Sequence, residues 1–451
     1  MIKLYTLNLN LQKPLSCQLV AVSMISLLTT CQYASSFEDT PTIFKKKSAV
    51  KFSERSASTV SLEEVMEIPV VPKPSFTSTS TTLHITVEDV LSSETKGLYT
   101  PSRRSILSDT TSELSWDDIP TVRILSLDGG GARGITEARF IQKLTEQTGR
   151  TVPEMFHLVA GTSAGGILAG AYTLPAGQDD PKRSPPLYSS DYIFNVMMQR
   201  TKTLFEKSWS LWGLLGPRYK SASIDKFMND FFGDITFDKT TTDTLVTTFD
   251  ISANWPKIFK SWDTREIFYT RDVLKSTSAA PSYFAPRHIF PVNASTSHLG
   301  YTLSDGGTFA NNPVTCALAD ARRLYPTITH FEIVSLGTGN SARPLHYSTM
   351  RNAGLIGWGR RLIDIFLNGQ STHTDYVMET LLPNEYSRWN PVLAEKNAAL
   401  DNVSDNNLRD LVQTEDDLIA SRRRQFDSLA ETLRRPKSDL IPVQIYTERK
   451  A

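Results

Sequence analysis

From residue 121 onward, apolar positions fall into short buried-looking runs, each followed by a glycine turn or an amphipathic stretch. Val122-Arg123-Ile124-Leu125-Ser126-Leu127 predicts a strand. Asp128 to Gly134 is a glycine-rich turn, and Ile135 to Gln147 then puts Ile135, Phe140, Ile141 and Leu144 on one helical face. The pattern repeats at once. The run Met155 to Ala160 leads into Gly161-Thr162-Ser163-Ala164-Gly165, and a second run follows, Ile167 to Tyr172. Further strands are predicted at 244–251, 266–270, 301–304 and 331–336, and helices at 224–232 and 314–325. Residues 350–434 read as mainly helical, with apolar patches at Leu362, Ile363, Phe366 and Leu367 and at Val377, Met378, Leu381 and Leu382.

Upstream of 121 the pattern is lost. Residues 37–120 are rich in Ser and Thr, as in Ser75 to Thr82, with Pro41, Pro69, Pro72 and Pro74 and no sustained periodicity. Such a stretch buries too little apolar surface to offset chain entropy, which predicts a disordered linker. Residues 1–36 fit a secretory signal. Lys3 and Lys13 precede an apolar stretch, Leu15 to Leu28, and small residues follow near Ala34-Ser35-Ser36. The stretch is too short and too polar for a membrane-spanning helix. Leu28-Thr29-Thr30-Cys31 loosely matches a lipoprotein cleavage box, with Thr30 a poor fit, so a lipid anchor at Cys31 is a weaker alternative. The chain therefore divides into a signal at 1–36, a linker at 37–120, a folded region at 121–435 and a tail at 436–451. A secreted or exported protein is expected.

Composition changes this picture little. Lys plus Arg and Asp plus Glu both total 48, so nothing points to nucleic acid or a polybasic membrane patch. The three cysteines are too few and too far apart for a disulfide framework or a zinc pattern. Between Leu204 and Leu215, Trp209 and Trp212 lie among leucines in a glycine-broken segment. Packing on the core is the simpler reading, and an exposed flap that touches lipid is the other.

Two turns carry candidate chemistry. Gly161 to Gly165, between a strand and a helix, has the form of a nucleophile elbow, which forces Ser163 into a strained, exposed position. Gly129, Gly131 and Gly134 match a dinucleotide fingerprint, but the acidic residue that it needs at the end of the second strand is missing. The other reading of this turn is an oxyanion hole built from backbone N–H groups. Two successive strand–turn–helix units in a parallel sheet put both turns at one edge, where α/β folds bind ligands. Asp305, between Tyr301-Thr302-Leu303-Ser304 and Gly306-Gly307, is placed as an exposed reacting carboxylate.

In this order, Asp128 to Gly134, Gly161 to Gly165, Ala280-Pro281-Ser282-Tyr283-Phe284 and Asp305-Gly306-Gly307 resemble the patatin-like phospholipases. Gly216-Pro217-Arg218-Tyr219, Ser335 to Gly339 and Thr374-Asp375-Tyr376 resemble the plant patatins in particular. The resemblance covers about 121–434. It implies a three-layer α/β/α fold with a mainly parallel central sheet. It also implies a Ser–Asp dyad, with Ser163 as nucleophile and Asp305 as its base. Gly129, Gly130 and Gly131 would form the oxyanion hole, and Arg133 would fill the family's basic, substrate-binding position. The implied reaction is metal-free and cofactor-free hydrolysis of acyl esters of phospholipids or glycolipids at a transient membrane surface. Two alternatives stay open. One is a Ser–His–Asp esterase that draws on His330, His346 or His373. The other is a lipid-binding or storage protein without turnover.

Overall fold

The computed structural model describes residues 119–208, 216–341 and 345–441, with the side chains of 355, 356 and 359–361 outside the description. The expected signal, the linker to 118, the Cys31 anchor and the flap from 209 onward lie outside the described residues.

The strands are β1 (Thr121–Leu127), β2 (Leu158–Thr162), β3 (Asp243–Asp250), β4 (Trp255–Lys260), β5 (Arg287–Ile289), β6 (Tyr301–Asp305), β7 (His330–Leu336), β8 (Asn340–Ser341), β9 (Tyr386–Trp389) and β10 (Val392–Leu393). The main sheet runs β5-β6-β3-β2-β1-β7-β9, with β4 also pairing β3. β1 is central because it is buried on both faces, and its near-continuous apolar run suits a doubly covered parallel strand. It pairs in parallel with β2 and β7, β2 pairs in parallel with β3, and β7 with β9. β4, β5 and β6 enter antiparallel at one side.

The longer helices are α1 (Ile135–Thr148), α2 (Ala164–Thr173), α3 (Ser190–Leu204), α4 (Ser221–Phe232), α5 (Thr270–Thr277), α6 (Val314–Leu324), α7 (Leu355–Leu381), α8 (Asp405–Ser421) and α9 (Arg423–Arg434). Alternation along β1 sorts them into two layers. Leu125 and Leu127 meet residues of α1 to α5, α8 and α9. Val122 and Ile124 meet α6 and Met378 of α7. The expected three-layer α/β/α arrangement with a mostly parallel sheet is what forms.

Three local expectations change. The strand predicted at 266–270 is loop up to one bridging residue, Tyr269, with α5 starting at Thr270, and the strand in this part is β4. The region 350–434 is not all helix, since β9 and β10 interrupt it. The stretch Tyr386-Ser387-Arg388-Trp389 has too few apolar residues to announce a strand. Its Tyr386 and Arg388 side chains reach into the buried network described below. Third, residues 436–441 of the predicted tail fold onto the body. Leu440 and Ile441 are buried in the α6 layer, and the Thr121 N–H donates to the Leu440 carbonyl. Fully buried Arg123 adds a second tie. It pairs with Glu332 across the β1–β7 ladder and donates to the carbonyls of Thr432 and Arg435 at the end of α9. Cations at a helix C-terminus are favourable there.

Candidate active site

β2 ends at Thr162, and α2 starts at Ala164. Ser163 between them has φ 53° and ψ −120°, a left-handed backbone that costs a non-glycine residue about 1–3 kcal/mol. The flanking glycines are dictated by close approach. A Cβ on Gly161 would lie 2.3 Å from the Gly165 carbonyl oxygen, and one on Gly165 would lie 2.4 Å from that of Leu127. The turn is held from outside by Thr277 at the end of α5. Its Oγ1 accepts the Ser163 N–H at 2.8 Å and donates to the Thr247 carbonyl at 2.7 Å. Thr277→Val keeps the shape and removes both bonds. It is expected to lower stability by about 1–3 kcal/mol, because two buried polar groups lose their partner. The check is a denaturant titration beside steady-state kinetics, with the loss falling on kcat as Ser163 drifts.

Asp305 reaches the same place from the opposite direction. Thr162 pairs with Thr247 in one ladder, and Thr248 pairs with Asp305 in the next. Asp305 therefore ends its antiparallel strand about one row from Ser163, across β3. Its carboxylate accepts the Gly307 N–H at 2.7 Å, and the Ser163 hydroxyl stands near enough to favour its charged form. Burial pushes its carboxyl up to about 6, against the pull of Ser163 and the Gly307 N–H. The sequence pointed to an exposed carboxylate, but Asp305 is only 5% accessible. The residues that cover it come from distant parts of the chain.

The glycine turn after β1 faces the pair, though not as a uniform run. The Gly129 N–H donates to the Asn311 carbonyl at 3.0 Å. Gly129 is thus already committed and does not line the cavity, which corrects its expected oxyanion role. Gly130 and Gly131 do line it, and among the described residues no group accepts either N–H. Gly131 has φ 58°, and a Cβ there would meet the Leu400 carbonyl oxygen at 2.4 Å. The expected substrate contact at Arg133 is also corrected. Arg133 is buried away from the cavity, and its guanidinium sits 3.4 Å from the carbonyls of Gly130, Gly339 and Ala398. Burial pulls its pKa below the usual arginine range, with Asp364 the largest opposing charge. It braces the turn from behind.

Behind the turn lies a polar network that ties together several of the motif fragments. The Asp128 carboxylate accepts from Arg388 at 2.6 and 3.1 Å, and Arg388 also pairs with Asp375 at 3.1 Å. Burial works against charge on Arg388, but the flanking carboxylates of Asp128 and Asp375 win and hold its guanidinium protonated. Thr338 Oγ1 donates to the Gly129 carbonyl at 3.0 Å, and so does Asn311 Nδ2 at 3.2 Å. Asn311 and Thr277 were missed as site residues. The doublet Asn311-Asn312 before Pro313 is a visible signal just ahead of the helix predicted at 314–325. Arg388 carried no signal of any kind.

Ser163, Asp305, Gly130 and Gly131 open onto a cavity of about 550 Å³. Its walls are largely apolar, with Ile167, Met197, Leu204, Ile224, Phe284 and Leu400 among them. Tyr283 and Phe284 hold the adjoining loop to Tyr219, whose hydroxyl donates to Asp401 at 2.7 Å. No histidine among the described residues lines this cavity. His330 starts β7, at the opposite end of the sheet from Ser163, and lies 3.8 Å from Glu385. His373 is exposed on α7, and His346 precedes a short turn of helix.

The family described as patatin-like phospholipase matches residues 125–318. Patatin-like protein 2 of Oryza sativa subsp. indica is 31% identical over 234 residues, which are 47% of this chain and 56% of the rice protein. This chain thus spans little more than half of that relative's length. Patatin-like protein 2 of Arabidopsis thaliana is 27% identical over 343 residues, covering 66% of this chain and 83% of its own. Patatin-15 of Solanum tuberosum is 27% identical over 332 residues, with the same 66% and 83% coverage.

Proposed function

This chain belongs to the patatin-like phospholipase family, and we propose that it is a lipid acyl hydrolase that releases fatty acids from phospholipids or related glycerolipids. One observation carries the reading. A strained serine and a buried carboxylate line one apolar cavity, beside two N–H donors that no described residue accepts.

In this reading Asp305 takes the proton from Ser163 Oγ as that oxygen attacks the ester carbonyl. A base with a pKa of about 6 is deprotonated at neutral pH and still basic enough to share a proton in the transition state. The new C–O bond drives the carbonyl electrons onto oxygen. That oxyanion rests on the N–H groups of Gly130 and Gly131, joined by the first N–H of α2 at Ala164. When the intermediate collapses, the alcohol of the lyso-lipid leaves with the proton held by Asp305. Water then attacks the acyl-enzyme and gives its proton to Asp305, and collapse frees the fatty acid as Ser163 Oγ leaves and takes that proton back. The apolar walls take the acyl chain, and the proton transfers need no imidazole.

The test offers phosphatidylcholine vesicles, galactolipid vesicles and soluble p-nitrophenyl butyrate to the wild-type protein, with free fatty acid and nitrophenol as the readouts. Fatty acid release from at least one lipid is expected. Binding of lipid without release of fatty acid or nitrophenol would instead identify a lipid-binding or storage protein.

A further inference from the structure

Helix α7 serves the cavity on one side and meets solvent on another. Ile363 and Leu367 line the cavity. Trp358, Leu362, Ile365 and Phe366 stand 36, 36, 38 and 58% exposed. Their spacing places them on one helical stripe. Phe366 belongs to both sets, so the exposed stripe runs without a break into the cavity wall. Single apolar residues on a surface need no explanation, but four large ones on adjacent turns mark an interaction face.

Charge indicates what covers it. Residues 345–366 hold Arg351, Arg360 and Arg361 against one carboxylate, Asp364. A stripe of Trp, Leu, Ile and Phe in a stretch of net positive charge suits an anionic lipid surface, where apolar side chains enter the acyl boundary. A soluble protein partner would gain nothing from a stripe that ends in an acyl cavity. A lipid surface would gain a path for the chain.

We propose that the first turns of α7, from Trp358 to Phe366, dock on the surface of a lipid aggregate and pass an acyl chain from that surface into the cavity. The transfer step rests on the acyl-hydrolase reading, while the docking step stands without it.

The test uses the full chain with Trp358→Glu/Ile365→Glu and, separately, Leu362→Gln. None of these residues lines the cavity. Flotation with vesicles of phosphatidylcholine containing some phosphatidylglycerol reads docking. Nitrophenyl butyrate hydrolysis and thermal melting read the site and the fold. The double variant is expected to float about tenfold less and to release vesicle fatty acid about tenfold more slowly. Nitrophenyl butyrate turnover and melting stay unchanged, and Leu362→Gln gives a smaller loss in the same direction. Flotation equal to wild type in both variants would overturn the proposal. So would a wild-type dimer that the substitutions dissociate while vesicle binding stays intact, because the face would then join two copies. If no substrate is hydrolysed but flotation still falls in the variants, docking stands and the hydrolase reading fails.

Discussion

Replacing Ser163 with alanine is expected to lower kcat for ester hydrolysis by about a millionfold, the scale seen when a covalent nucleophile is removed from a cooperating site. No other group can form the acyl-enzyme, so the two-step route closes and only the oxyanion donors and the cavity remain to act on a bound ester. Lipid binding is expected to persist, because the cavity walls are untouched. Ser163→Gly separates chemistry from strain. It is expected to be equally inactive but more stable by about 1–2 kcal/mol, since glycine adopts φ 53° without penalty. Single-turnover assays with nitrophenyl butyrate and urea melts of the two variants check both statements.

Asp305→Asn is expected to lower kcat by about ten-thousandfold, the scale reported when a site loses its supporting carboxylate. Asparagine can still accept the Gly307 N–H, so the backbone of the turn stays in place. What disappears is the acceptor for the Ser163 proton. The same substitution is expected to stabilise the fold, and the sign follows from the direction in which burial moves the carboxyl. Burial raises it from 3.8 to about 6, so between those values the folded chain holds more protons than the unfolded one. The contribution of Asp305 to stability is therefore fully present below pH 3.8 and is lost as pH rises through 6. At pH 8 the buried charge costs about 3 kcal/mol, because each tenfold change in proton affinity is worth about 1.4 kcal/mol. Asp305→Asn should therefore match wild type near pH 3 and exceed it by up to that amount near pH 8. Paired denaturant titrations across this range read the difference directly. A variant less stable than wild type at pH 8 would show that Asp305 holds the fold as well as serving Ser163.

The skeleton of this site was legible because its parts are local. Gly134, Gly161 and Gly165 sit in short motifs and answer to steric contacts between the two turns at the same sheet edge. The apolar runs of β1, β2 and β7 announce buried parallel strands for the same reason. What escaped depends on pairings across the chain. Asp305 looked exposed because nothing near it in sequence covers it. Gly129 looked like an oxyanion donor until Asn311, far along the chain, took its N–H. The family resemblance made Arg133 a substrate contact, yet here the carbonyls of Gly339 and Ala398 receive it. Arg388 sits on a polar edge strand without any period, and only the β7–β9 pairing carries it beneath Asp128. Motif chemistry is read from neighbours in sequence, but the groups that tune it are neighbours in space.

The most direct measurement of the central claim, that Ser163 is activated by buried Asp305 without a histidine, is the pH dependence of covalent labelling by a fluorophosphonate. Peptide mapping identifies the labelled residue, and the rate is followed in wild type, in Asp305→Asn and in alanine variants of His330, His346 and His373. The expected result is one label per chain on Ser163, at a rate that rises with pH through about 6. The rate should collapse in Asp305→Asn and stay unchanged in the three histidine variants. A label on another residue, or a rate that survives Asp305→Asn and falls in a histidine variant, would contradict the account.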